Sequence, residues 1–373
     1  MGSPEISKTT LTDYMLERKI GAGRVPLSFD FELTARCNND CGHCYINVPA
    51  EDARYQEEEL SLQEIERIAD EAVAMGTLWC LLSGGEPLLR EDFDDVYLSL
   101  KRKGLLVSVY TNASLITERH VELFKKYPPR DLEVTVYGVT PETFARVTNR
   151  PSGFSQFQRG LNRLLDNKIP VRLKAMALRS NVHELPEIAA FCREHTKDYF
   201  RFDPLLNLRH DRDPARNQRI LAERLTPEEI ARIDHADLER SEALRKDCGI
   251  YIHDAVEQED CAHLFHCGAG LNSFHLSHNG QFRLCGSLCA PDCVYDLRNG
   301  SLREAWTQFA PRVLAMETTD SEVRRKCIHC PIFNLCLWCP AHAYLECGHL
   351  DRWSEYFCKV AHAREAALKD RLG

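Results

Sequence analysis

The stretch Arg36–Asn47 reads RCNNDCGHCYIN and places cysteines at 37, 41 and 44. Three thiols this close make a ligand set one short of the four that a structural zinc ion or a fully ligated iron-sulfur cluster takes. The stretch directly follows PLSFDFELTA (26–35), an apolar, β-prone run. The thiols therefore stand at the end of a predicted strand.

Working outward, five further runs read as strands: LWCLLSG (78–84), LLVSVYTNA (105–113), LEVTVYG (132–138), VRLKAMAL (171–178) and YFRFDPLL (199–206). Helix signals lie between them. Ser61 with Glu64 three residues on forms a capping box before an apolar periodic run that ends at Gly76. Thr140 caps a helix whose first position is Pro141, and TPEE at 226–229 repeats the signal. Strand-helix alternation with short links predicts a parallel sheet, either an open doubly wound sheet or an incomplete (β/α) barrel. In both, ligands gather at the C-terminal strand ends. Those ends carry the cysteines, then Gly84-Gly85, then Thr111-Asn112, then Tyr137-Gly138.

The chain has 373 residues and a formal charge of -9, which offers no general attraction to nucleic acid or to an anionic membrane. No run approaches the roughly 18 apolar residues of a membrane span, and the N-terminus lacks the apolar segment of a signal peptide. MGSPEIS loosely fits a myristoylation pattern, without other membrane signals beside it. A cytoplasmic location is expected, where thiols stay reduced and clustered cysteines read first as metal ligands. Of the 17 cysteines, three lie at 37–44, only Cys80 and Cys192 follow before residue 247, and the rest lie between Cys248 and Cys358. A cysteine-poor region with one cluster at its start thus precedes a cysteine-rich tail.

A zinc site at 37–44 would have to recruit His43, and adjacent residues chelate one tetrahedral ion poorly. A four-iron cluster on three cysteines leaves one iron open. The C-x3-C-x2-C motif after strand one, with GGEP at Gly84–Pro87 after strand two, resembles the radical S-adenosylmethionine (SAM) superfamily. The resemblance implies that Cys37, Cys41 and Cys44 hold a [4Fe-4S] cluster whose open iron binds the amino and carboxylate groups of SAM. It implies that the backbone of Gly84 and Gly85, with Glu86 and Pro87, meets the amino group. His43 takes the place of the aromatic residue that the family usually has there. Thr111, Asn112 and Tyr137 are placed to meet ribose and adenine, with plain strand-end hydrogen bonds as the alternative. Lys174 and Asp203 are further cofactor-side candidates, with a mutual ion pair as the alternative.

The tail carries Cys261, Cys267 and Cys285, then CIHCPIFNLCLWC with Cys327, Cys330, Cys336 and Cys339, then Cys358. C-x2-C pairs alone would suggest zinc knuckles. Beside the first motif, the arrangement resembles the SPASM domain. That resemblance implies two auxiliary [4Fe-4S] clusters, one on Cys261, Cys267, Cys285 and Cys339, the other on Cys327, Cys330, Cys336 and Cys358. The last pair of the run is spaced by two residues where the family has three, which leaves Cys347 as a substitute for Cys339. Cys289 and Cys293 are spare ligands, a redox pair or buried thiols. The expected architecture is α/β: an N-terminal extension (1–25), a partial (β/α)6 TIM-type barrel (26–246) and a small cysteine-rich iron-sulfur domain (247–373).

The resemblance implies reductive cleavage of SAM to a 5′-deoxyadenosyl radical, which removes hydrogen from a substrate. Among relatives of this architecture, VTVYGVTPETFARVT, FRFDPLLN and VYDLRNGSLREAW look like the peptide-modifying branch. The expected partners are a peptide or small-protein substrate, a separate leader-binding protein if that substrate is a leader peptide, and an electron donor such as flavodoxin or ferredoxin. No nucleic acid or membrane partner is expected. Formylglycine formation in sulfatases is an alternative, although Gly286 stands where those relatives carry an aspartate base. A sugar-alcohol or tetrapyrrole oxidoreductase is another. A bare electron carrier is the non-enzymatic reading, and GGEP argues against it.

Overall fold

The computed structural model describes residues 23–196, 200–246, 263–265, 267–323, 327, 330–332, 335–336 and 338–369. Cys248 and Cys261 lie outside them, as do residues 1–22 of the N-terminal extension.

All six expected strands form: β1 (Ser28–Thr34), β2 (Trp79–Gly84), β3 (Leu106–Thr111), β4 (Leu132–Val136), β5 (Arg172–Met176) and β6 (Arg201–Asp203). They run parallel in sequence order. The intervening helices are α1 (Leu62–Ala74), α2 (Phe93–Arg102), α3 (Glu118–Lys126), α4 (Pro141–Thr148), α5 (Gly153–Asp166) and α6 (Leu185–His195). Helix α1 starts at the capping box of Ser61 and Glu64, and α4 starts at Thr140, whose side chain accepts from Thr143 N. Two orphan donors at the first terminus and one at the second are thereby satisfied.

Strand alternation decides what each face does. Phe29, Phe31 and Leu33 of β1, Cys80 and Leu82 of β2, Val107 and Val109 of β3, and Leu173 and Ala175 of β5 enter one core with α1 and α2 side chains such as Ile65, Ile68, Val96 and Tyr97. The opposite face carries Glu32, Ser83, Tyr110, Glu133, Thr135, Lys174 and Asp203. Barrel interiors are usually filled by branched apolar side chains. This one is polar, which suits a partial barrel whose inner face lines a cleft.

Among the described residues, the tail does not form a sheet of its own. Strand β7 (Ser273–Leu276) pairs parallel with β1, Asp30 opposite His275, and β8 (Gln281–Arg283) and β9 (Tyr295–Asp296) follow antiparallel. The result is one nine-stranded sheet in the order β9-β8-β7-β1-β2-β3-β4-β5-β6. Phe274 stacks on Phe29 at 5.1 Å across this seam. Arg24, from the end of the N-terminal extension, donates to Gly270 O and Trp306 O at 2.8 and 2.9 Å. Helices α7 (Pro214–Glu223) and α8 (Pro227–Ala236) follow β6, and α9 (Pro340–Cys347) and α10 (Glu355–Lys369) close the described chain. Among the described residues no helix is long and apolar enough to cross a membrane.

Candidate active site

The chain turns out of β1 into the short strand Arg36–Cys37, which pairs with Val48–Pro49 and closes the cysteine loop at its base. The turn after β2 is sewn onto this base: Gly85 N donates to Thr34 O at 2.8 Å, and Glu86 N donates to Arg36 O at 2.9 Å. A Cβ on Gly84 would collide with Thr34 O, and one on Gly85 with Arg36 O. Gly84 also has φ +125°, a conformation that side chains disfavour. The glycines therefore bring two strand ends together, as well as leaving backbone bare toward the cleft.

A cavity of about 310 Å³ opens at these strand ends. Of the sequence candidates, Cys37, Cys41, His43, Cys44, Gly84, Gly85, Thr111, Asn112, Tyr137, Lys174 and Asp203 line it. Glu86 and Pro87 do not. Glu86 is fully buried behind the wall, where it accepts from Thr111 Oγ1 (2.8 Å), Asn112 N (2.7 Å) and Leu88 N (3.2 Å). Burial raises its carboxyl to about 7 despite those bonds. This carboxylate stands behind the cavity wall as a strut between the turns after β2 and β3. Pro87 opens a single 3-10 turn.

Lys174 and Asp203 both face the cavity, but the ion pair given as the alternative is not the one Lys174 forms. Lys174 Nζ lies 3.1 Å from Glu133 Oε2 and 3.4 Å from the Tyr110 ring centroid. Register alone does not choose between them, since Glu133 and Asp203 each lie one same-face step from the residue opposite Lys174, Thr135 on β4 and Arg201 on β6; Glu133 is the buried one and Asp203 is exposed. Burial lowers the lysine to about 8, with Glu133 opposing that shift.

Burial, followed by the charge of Glu86, pushes the Cys37 thiol up to about 12, and burial with neighbouring thiols raises Cys41 well above the usual thiol range. Thiolates here need a cation to hold them, which is what iron supplies. The described cysteines are all free of disulfides. Among the described residues no three His, Cys, Asp or Glu side chains converge as ligands of a single metal ion. His43 is held neutral, lowered to about 4 by burial, and its ring lies 5.5 Å from Tyr137. Its Nδ1 is buried without a partner, as are both side-chain polar atoms of Asn39 on the same cavity. Such orphaned groups in a wall carrying three thiols fit a polar cofactor.

Asn39, Tyr45, Asn47, Ser83, Tyr110, Thr135 and Asn207 also line the cavity without being picked out from the sequence. Ser83, Tyr110 and Thr135 could have been found from strand parity, since each shares a face with a strand-end candidate. Asn207 had no local signal.

In the tail, Cys267, Cys285 and Cys339 line a second cavity of about 250 Å³, and Cys336 reaches it too. Cys261, expected as their fourth partner, lies outside the described residues. Cys336 also packs in a cluster with Cys327 and in another with Cys330, and burial followed by Cys358 and Cys330 pushes its thiol up to about 11. Cys347 is exposed at the end of α9, its Sγ donating to Ala343 O at 3.0 Å, and is not on the Cys285 cavity. Cys293 is a core thiol, 3.9 Å from Met316 Sδ. Arg283 Nη1 donates to Cys289 Sγ at 2.6 Å, and Arg283 also lies 3.3 Å from Glu32.

Residues 31–192 match the profile of the Radical SAM superfamily. The chain is 26% identical over 350 residues to the AdoMet-dependent heme synthase of Methanosarcina barkeri (strain Fusaro / DSM 804), covering 88% of this chain and 95% of that one. It is 28% identical over 171 residues to the antilisterial bacteriocin subtilosin biosynthesis protein AlbA of Bacillus subtilis (strain 168), covering 46% of this chain and 37% of AlbA. The fold superposes with a TM-score of 0.66 on Streptococcus suis SuiB bound to its precursor peptide SuiA, at 16% identity, over 96% of this chain and 84% of that one.

Proposed function

Because residues 31–192 are a radical SAM domain, we propose that this chain cleaves SAM reductively and uses the 5′-deoxyadenosyl radical to take hydrogen from a substrate held in the cleft. The observation that carries this reading is the single cavity where Cys37, Cys41 and Cys44 face the bare backbone of Gly84 and Gly85. The three thiols would hold a [4Fe-4S] cluster, which supplies the electron. Backbone carbonyls at Gly84 and Gly85 would accept from the SAM ammonium. Asn112 and Thr111, held by Glu86, would meet the ribose, and His43 and Tyr137 the adenine. Lys174 and Asp203 lie further along β5 and β6 and are better placed to position the substrate than the cofactor.

The tail is assigned two auxiliary [4Fe-4S] clusters, on Cys261, Cys267, Cys285 and Cys339 and on Cys327, Cys330, Cys336 and Cys358. The division at residues 246/247 is one of chemistry rather than of sheet. These clusters require a reducing compartment and a low-potential donor such as flavodoxin or ferredoxin.

Oxidative modification of a peptide or protein side chain is the substrate reading, supported by AlbA and by the fold shared with SuiB. A leader peptide would then call for a separate recognition protein. A tetrapyrrole is the second reading, favoured by a heme synthase similarity that spans nearly the whole of both chains, where the AlbA match stops at about half of this one.

The test is anaerobic reconstitution followed by SAM and dithionite. Release of 5′-deoxyadenosine is expected, with Cys41→Ala falling to background. No release from protein carrying about twelve irons, four for each cluster, would refute the reading. Mass spectrometry after turnover with a co-encoded short peptide or an iron porphyrin then separates the two substrate classes.

A further inference from the structure

We propose that Arg209 is a positioning residue that sets the reduction potential of the cluster on Cys37, Cys41 and Cys44, an inference that rests on the radical SAM reading above. Arg209 follows β6 and is 2% exposed. Its Nη1 donates to Cys44 O at 3.4 Å, Asn47 O at 3.2 Å and Asn47 Oδ1 at 3.1 Å. A buried, permanent positive charge thus stands one carbonyl from a proposed iron ligand. Arg216 of α7 repeats the clamp, donating to Asn47 O at 2.7 Å and to Asp40 Oδ1 at 3.1 Å, and Arg219 donates to Asp40 O and Oδ2, each at 3.0 Å. Planar guanidinium forks suit this work, because each spans several oxygens at fixed angles.

The three cations are not equivalent electrostatically. The Arg216 and Arg219 side chains are 26% and 37% exposed, so solvent screens them, whereas the Arg209 side chain is 3% exposed. Reduction adds a negative charge to the cluster, and a fixed cation in a low-dielectric setting favours the reduced state. Asp211 takes the outer edge of Arg209, with Nε and Nη2 bonds of 2.9 and 2.6 Å. At 40% exposure it offsets only part of that field. Arg209 is also held from behind, its backbone N donating to Asn217 Oδ1 at 2.9 Å. The charge is therefore fixed in place before the cluster is reduced.

The experiment is an EPR-monitored redox titration of the fully reconstituted chain, following the reduced signal that SAM perturbs. Arg209→Gln is expected to lower the midpoint potential by about 59 mV, a tenfold loss in the one-electron equilibrium. Asp211→Asn is expected to raise it, and Arg209→Lys to return it toward wild type. A clamp with no electrostatic part would change iron retention but not the potential of the iron retained. Unshifted potentials in both Arg209→Gln and Asp211→Asn, with iron retained, overturn the assignment. If Arg209→Gln loses iron, Asp211→Asn decides: a rise supports the assignment and no shift overturns it. Absence of any SAM-responsive signal in the wild-type protein would overturn both this assignment and the reading beneath it, whereas an unmoved but SAM-responsive signal overturns this one alone.

Discussion

Glu86 concentrates the residue-scale argument. Its carboxylate takes three hydrogen bonds in a site closed to water, yet burial still raises it to about 7. A carboxyl raised in the folded state contributes stability that is fully present below its unfolded value of 4.5 and lost as pH rises through about 7. Relative to Glu86→Gln, the wild type should therefore lose stability between about pH 4.5 and pH 7, by no more than about 3 kcal/mol. Urea titrations of both proteins at several pH values measure this. A constant difference across the window would show that Glu86 is ionised throughout. Lys174 teaches the related lesson that a buried cation pairs with the buried carboxylate among those its register allows. Glu133 sits on the same inner face of the adjacent strand.

At the scale of elements, the turn after β2 and the cysteine loop behave as one unit. Gly85 has no room for a side chain, because Arg36 O and Ala35 O occupy the place a Cβ would take. Gly85→Ala should push the two strand ends apart, misplacing Cys37 directly and Cys41 and Cys44 through the loop base. The expected outcome is loss of about four irons relative to the wild type, with the fold destabilised by about 3 kcal/mol, as overpacking against backbone implies. Iron analysis alongside thermal melting tests it, and retention of all the iron would show that the turn yields. Helix α5 poses the same demand at Gly160, where a Cβ would collide with Ala113 O beside the Asn112 turn. The elements that build the cleft are therefore joined by contacts that only glycine permits.

For the whole molecule, the decisive fact is that β7 completes the open edge of β1. An open edge with its inner face polar and its outer face carrying Phe29 and Phe31 invites pairing with other chains. A chain ending at residue 246 should consequently aggregate, even though every strand of the barrel is present. Size-exclusion chromatography of the two lengths checks this. A soluble, monomeric truncation that still binds iron would show that the barrel is self-sufficient. The same packing buries Glu32 against His275 and Arg283 from the tail, at 3.2 and 3.3 Å. Removing one partner of such a group leaves a buried charge without compensation.

The sequence by itself determined the order of strands and helices, the capping of α1, α4 and α8, and the gathering of polar and glycine turns at one rim. These depend on periodicity and capping chemistry within a dozen residues, whereas a parallel sheet alone allows doubly wound or barrel order, and packing chose the sequential one. It also marked the three thiols and their partner glycines, because metal ligation and close backbone approach demand particular residues at particular spacings. Tertiary structure decided the rest. It joined β7 to β1, set Glu86 as a strut behind the cavity wall, gave Lys174 to Glu133, and brought Arg209 to a loop 165 residues earlier. The physical reason is that a buried charge or an open sheet edge must be satisfied but carries no local mark of which distant group will satisfy it. That choice is made by packing.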